Sequence, residues 1–136
     1  MKRVLALVFL LVLCGCAAKH HDAACSITVS AHTESLPAAC MELLPADGIL
    51  FSESVAFETG ENLLTVMLRA MREEKIPLVF EGGYIKSIGG LAPGDAGPRS
   101  GWMFAVNGEM PMEGCDEIIL KDGDTVEWTY VTEWTE

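Results

Sequence analysis

The segment Trp102-Met103-Phe104-Ala105-Val106-Asn107-Gly108 constrains the fold more than any other part of the chain. Large apolar residues recur at every second position, the period of a half-buried strand, and the run stops at Asn-Gly, which tolerates the positive φ angles of a tight turn. Downstream, Val126, Trp128 and Tyr130 alternate with Glu127 and Thr129, so a second strand of the same kind follows. Asp122-Gly123 separates it from the apolar run Ile118 to Leu120, and this spacing predicts a closing hairpin. A sheet with one aromatic face needs a covering layer. The chain supplies one helix for it: Leu64, Met67, Leu68 and Met71 fall on a single stripe, Asn62 is placed to cap the start, and Pro77 sets the limit. On its wet side Arg69 and Glu73 are spaced for an i,i+4 ion pair.

Further strands are expected at Ile27 and Val29, over Ile49 to Phe57, at Leu78 to Phe80, and at Tyr84 to Ile88 after Gly82-Gly83. Strands, one helix, then more strands is the order of an α+β, β-grasp-like mixed sheet packed around a single helix. From Gly89 to Gly101 the chain is loaded with Gly and Pro, which predicts a long irregular loop and the moving part of the domain.

The N-terminus reads as an export leader. Lys2 and Arg3 precede the apolar run Val4 to Leu13, which is too short for a permanent span. Leu13-Cys14-Gly15-Cys16 matches a lipobox, so residues 1–15 are expected to be a lipoprotein signal peptide and Cys16 the acylated first residue; the alternative is ordinary cleavage after Ala17 or Ala18. Residues 16–24 then form a polar tether, 25–132 a single domain, and 133–136 a tail. The expected location is the extracytoplasmic face of the cell membrane. The formal charge of −11 grows more negative once Lys2 and Arg3 leave. Nucleic acid and anionic lipid head groups would repel such a body, so nucleic-acid roles are excluded and membrane contact is expected through the lipid anchor only. Cys25, Cys40 and Cys115 remain in a compartment that permits disulfides. Either Cys25 and Cys40 close a short loop or all three are small buried apolar side chains. His20 and His21 are adjacent on the tether and His32 is isolated, so no metal site is expected.

Three stretches carry a family resemblance. Ser100-Gly101-Trp102-Met103-Phe104-Ala105-Val106-Asn107-Gly108, then Pro111-Met112-Glu113-Gly114-Cys115, then Leu120-Lys121-Asp122-Gly123-Asp124-Thr125-Val126-Glu127-Trp128 resemble the motifs of the transcobalamin-like C-terminal domain, known in bacterial surface proteins as DUF4430. The likeness extends upstream through Cys25 to Val29, Leu44 to Leu50 and Val55 to Glu61. In the transcobalamin proteins this domain is a lid over one face of a corrin ring, so the resemblance implies a binding module for cobalamin or a related corrinoid, for uptake through a membrane transporter. Its implied ligand contacts are Gly101, Trp102, Phe104, Asn107 and Gly108. From the residues alone, Trp102 and Phe104 serve equally as core, and Asn107-Gly108 as a turn. The sequence holds only the lid's motifs, so weak affinity, or a separate helical partner that supplies the other half of the clamp, is expected. The alternative function is a cell-surface module that docks a protein or a cell-wall polymer.

Catalysis is not expected. No nucleophile elbow, zinc-protease helix or phosphate-binding Gly-Lys-Ser/Thr loop occurs, and the motif-bearing half has no histidine.

Overall fold

The computed structural model describes residues 21–134. The expected signal peptide, the expected acylation site Cys16 and most of the expected tether lie outside the described residues. Within them, β1 (Ala23–Ala31), β2 (Ile49–Phe57), β5 (Gly101–Val106) and β6 (Thr125–Val131) form a four-stranded sheet in the order β2-β1-β6-β5. The central pair β1 and β6 is parallel and both flanking pairs are antiparallel. A second, two-stranded sheet is the hairpin of β3 (Leu78–Glu81) and β4 (Tyr84–Ile88). A short helix α1 (Ala38–Met41) lies in the β1–β2 connection, and the main helix α2 (Leu63–Glu73) follows β2. This is the expected α+β mixed sheet with one main helix.

Alternation decides which face is dry. In β1 the side chains of Cys25, Ile27, Val29 and Ala31 are buried, while Ser26, Thr28 and Ser30 point the other way. Register sets Ile27 beside Val126 and Val29 beside Trp128, stacking apolar rows across the parallel pair. Onto these rows α2 lays Leu63, Leu64, Val66, Met67, Ala70 and Met71, a wider stripe than the four expected residues. Each of the Leu, Val and Met side chains, when fully buried, contributes roughly 1.5–3 kcal/mol. Asn62 caps the helix, its side chain accepting from the Thr65 N–H at 2.8 Å. The helix ends with Lys75 in the left-handed region (φ 57°), and the N–H groups of Lys75 and Ile76 return to the carbonyls of Arg72 and Met71.

Four expectations are corrected. The closing hairpin does not form: Ile118 to Leu120 crosses the start of α2, with Leu63 N donating to Ile118 O at 2.8 Å and Leu64 N to Cys115 O at 3.1 Å. Both edges of β6 are already taken by β1 and β5, whereas the first N–H groups of a helix have no partner within it. Arg69 does not pair with Glu73. Its guanidinium meets both oxygens of Glu61, at 2.7 and 3.0 Å, because Glu61 is already held at the helix entry by accepting from Glu58 N. The end of the tether is not free, since Asp22 accepts from both the N–H and the hydroxyl of Thr59 at 2.9 Å and β1 starts at Ala23.

The Cys25–Cys40 bridge is also overturned, because Cys25, Cys40 and Cys115 are all free and buried. Cys25 sits in the main core at the start of β1, whereas Cys40 packs in a second cluster with Ala31, Leu91 and Tyr130 at its far end. Six residues of strand separate Cys25 from Ala31, about 20 Å at the usual rise. A disulfide needs Cα atoms within about 7 Å.

The Gly- and Pro-rich segment from Gly89 to Gly101 is irregular but tied down. Leu91 is fully buried, and Ser100, itself buried, accepts from Gly94 N and Ala96 N and donates to Gly97 O at 2.7 Å. It is an irregular but internally hydrogen-bonded loop.

Candidate functional site

β5 is an edge strand, and its hydrogen bonds fix which way its main chain points. Asn107 N donates to Thr125 O at 2.7 Å, toward β6, whereas Val106 turns away to exchange bonds with Glu109 at 2.8 and 3.1 Å. In an antiparallel strand this orientation alternates. The N–H and C=O groups of Trp102 and Phe104 therefore face outward, and they have no partner among the described residues.

The side chains of these two residues lie on the core side, half-buried. Phe104 stacks on Trp128 with ring centroids 4.6 Å apart and planes at 22°. Trp102 meets Tyr130 edge to face at 5.3 Å, and its indole N–H donates to Leu91 O at 2.7 Å. Both also line an open cleft of about 250 Å³ between β5, the start of β4 and the segment from Met110 to Gly114. Tyr84 (73 % exposed) and Met112 (97 % exposed) stand at its rim with Met110. The surface is aromatic and thioether, suited to a flat apolar body.

Trp128 closes the floor. It is 2 % exposed, and its indole N–H has no hydrogen-bond partner among the described residues. An unsatisfied buried donor of this kind costs about 1–3 kcal/mol.

The other expected contacts are placed differently. Asn107 has φ 53°, donates to Asp124 Oδ1 and accepts from Thr125 N, both at 2.9 Å, so its side chain is spent on holding the turn. Gly108 continues that turn at φ 81° over open space. Gly101 is buried at the start of β5 and lies outside the cleft lining. The structure thus gathers Trp102 and Phe104 and leaves Gly101, Asn107 and Gly108 out.

Sequence reasoning missed the far walls, Tyr84, Met110 and Met112. Their signal was present in the two glycine positions that let the walls meet. Gly83 and Gly114 touch backbone to backbone, such that a Cβ on Gly114 would sit 3.1 Å from Gly83 O. Cys115 N then donates to Gly83 O at 3.1 Å and the thiol to the same oxygen at 3.3 Å. Burial pushes the Cys115 thiol up to about 11, so at neutral pH it is a protonated donor and not a nucleophile. Among the described residues no three His, Cys, Asp or Glu side chains are grouped to hold a metal ion.

The fold has solved counterparts. It matches haptocorrin in complex with Cbi at a TM-score of 0.57 and 18 % identity, over 82 % of this chain. The match spans only 26 % of the haptocorrin chain, so most of that protein has no counterpart here. A Ruminococcus gnavus ATCC 29149 protein, provisionally described as metal binding, matches at a TM-score of 0.51 and 16 % identity, over 83 % of this chain and 100 % of its own. No curated protein matches the sequence. The DUF4430 family, described as a domain of unknown function, matches residues 60–132, more than half the chain and all of the cleft, and the chain belongs to that family.

Proposed function

We propose that the domain is a binding module that holds one edge of cobalamin or a related corrinoid in the β5 cleft, displayed outside the cytoplasm by a lipid on Cys16 and passing its ligand to a membrane transporter. The observation that carries this reading is the aromatic cleft itself, in which half-buried Trp102 and Phe104 and the floor of Trp128 face the exposed Tyr84, Met110 and Met112. The haptocorrin counterpart, solved with Cbi, supports the ligand class. Cleft size supports a lid in place of a full pocket, since about 250 Å³ falls below the usual range of roughly 300–1,000 Å³ for enclosing sites. Burying one edge must still offset an association cost of about 4–15 kcal/mol, so a separate helical partner is expected to complete a tight site.

The chemistry is gripping, not turnover. Cys115, next to Gly114 of the cleft lining, is held protonated and hydrogen-bonded.

Titration of purified protein with cobalamin and with Cbi, followed by heat release and by tryptophan fluorescence, tests the reading. Two of the three tryptophans line the cleft, so quenching is expected. Absence of both signals at near-millimolar ligand rejects it.

A further inference from the structure

We propose that the outer edge of β5 is a strand-addition site for an extended segment of a partner protein, neutral or basic and apolar at alternate positions. The proposal stands apart from the corrinoid reading, because it rests on main-chain groups and not on the aromatic floor.

Trp102 and Phe104 present four main-chain groups in strand geometry, two donors and two acceptors, along one line and unpaired among the described residues. Such an edge is a template for another strand, and proteins that do not use it blunt it with charge, proline, a bulge or a cover. β5 lacks charge, proline and bulge: Gly101-Trp102-Met103-Phe104-Ala105-Val106 carries no charge and no proline, and its pairing with β6 runs without a register shift. By contrast β2, the opposite edge, carries Glu53 and a bulge in its pairing with β1. An added strand would send every second side chain into the cleft beside it, whose apolar lining gives those positions a preference.

Two features choose the occupant. The cleft is lined by Tyr84 and Ile85 and by Met110 to Gly114, a space of about 250 Å³ beside the edge that suits the side chains of one extended segment. Charge acts in the same direction. Glu113 stands exposed in the cleft lining and Glu109 is exposed just past the end of β5, Lys86 is already paired with Glu81, and the chain carries −11 overall. A second copy is repelled and a segment carrying lysine is attracted.

The probe is a synthetic nine-residue peptide of alternating threonine and valine with a lysine at each end. Its partner control is the same peptide N-methylated at alternate residues, which removes the donors facing β5. Amide hydrogen exchange of the isotope-labelled protein is followed by NMR. The unmodified peptide is expected to slow exchange at Trp102 and Phe104 by at least about tenfold, to leave Met103 and Ala105, already bonded to β6, unchanged, and to lose binding on N-methylation. Glu109→Lys with Glu113→Lys, both exposed, is expected to weaken binding without unfolding the domain. Equal binding of the N-methylated peptide, binding without protection of those two amides, or no binding at millimolar peptide would overturn the proposal. So would concentration-dependent protection of the same amides without peptide, which would assign the edge to self-association.

Discussion

The hydroxyl of Tyr130 donates to the carbonyl of Ala92 at 2.7 Å and lies 3.0 Å from Ser100 Oγ, which fastens the loop before β5 to the last strand. Tyr130 is fully buried, so its ring packs the second core cluster while its one polar atom organises the loop. Tyr130→Phe keeps the ring and removes the donor, leaving a part-buried carbonyl short of a partner. A loss of about 1–3 kcal/mol is expected in denaturant unfolding, together with faster amide exchange at Ala96 and Ser100. Unchanged stability and exchange would mean that the hydroxyl does not hold the loop.

That same contact explains why the packing of the loop was not legible in the sequence. Gly and Pro content reports what a backbone can do locally, and Gly94 and Gly97 do adopt positive φ. It carries no information about Tyr130, whose side chain reaches the loop from 38 residues away in the chain. The elements that were legible are those whose pattern is itself the physics: the alternation of Trp102, Phe104 and Val106, the stripe of Leu64, Met67 and Met71, the cap at Asn62. Illegible were the choices made by competition between distant groups. Ile118 to Leu120 has a strand's composition, yet the unpaired N–H groups at Leu63 and Leu64 claim the carbonyls of that crossing segment. The site divides in the same manner, with Trp102 and Phe104 visible on a strand and Tyr84 and Met112 brought opposite only by the Gly83–Gly114 approach.

Acid stability should depend on Glu61. Its hydrogen bonds from Arg69 hold the carboxyl below the ordinary value of 4.5, with Glu58 N adding to the effect and burial opposing it. The unfolded chain therefore takes up that proton first. Stabilisation is complete above about pH 4.5 and is lost as the pH falls through the lower folded value. Asp22, lowered chiefly by the Thr59 N–H, acts in the same sense. Glu61→Gln is expected to cost about 1 kcal/mol at pH 7 and to flatten the acid limb of melting temperature against pH. An identical acid limb in the variant would place the sensitivity elsewhere.

Free thiols make a redox prediction. Burial pushes Cys25 and Cys115 each up to about 11, and raises Cys40 as well. Iodoacetamide at pH 7.5 should leave Cys25 and Cys115 unlabelled in the folded protein, and denaturant should expose all three. Mass spectrometry after proteolysis reads each site separately. A Cys25–Cys40 peptide pair under non-reducing conditions would contradict the two-cluster arrangement.

Asn107 and Tyr84 offer opposite outcomes that separate holding the site from touching the ligand. Asn107 gives its side chain to Asp124 and to the Thr125 N–H while its backbone sits at φ 53°, a conformation Asn tolerates better than most residues. Asn107→Ala removes both bonds and adds backbone strain, so it is expected to destabilise by about 1–3 kcal/mol while leaving Cbi affinity within about twofold. Tyr84 is 73 % exposed on the cleft rim, so Tyr84→Ala should change stability by less than about 0.5 kcal/mol. Its effect should appear in binding, a loss of roughly tenfold if the ring covers a desolvated ligand edge. Calorimetric titration of both variants with Cbi, beside their denaturation curves, reads the two quantities independently. A variant at Asn107 that folds normally and binds less would move Asn107 from the turn to the ligand.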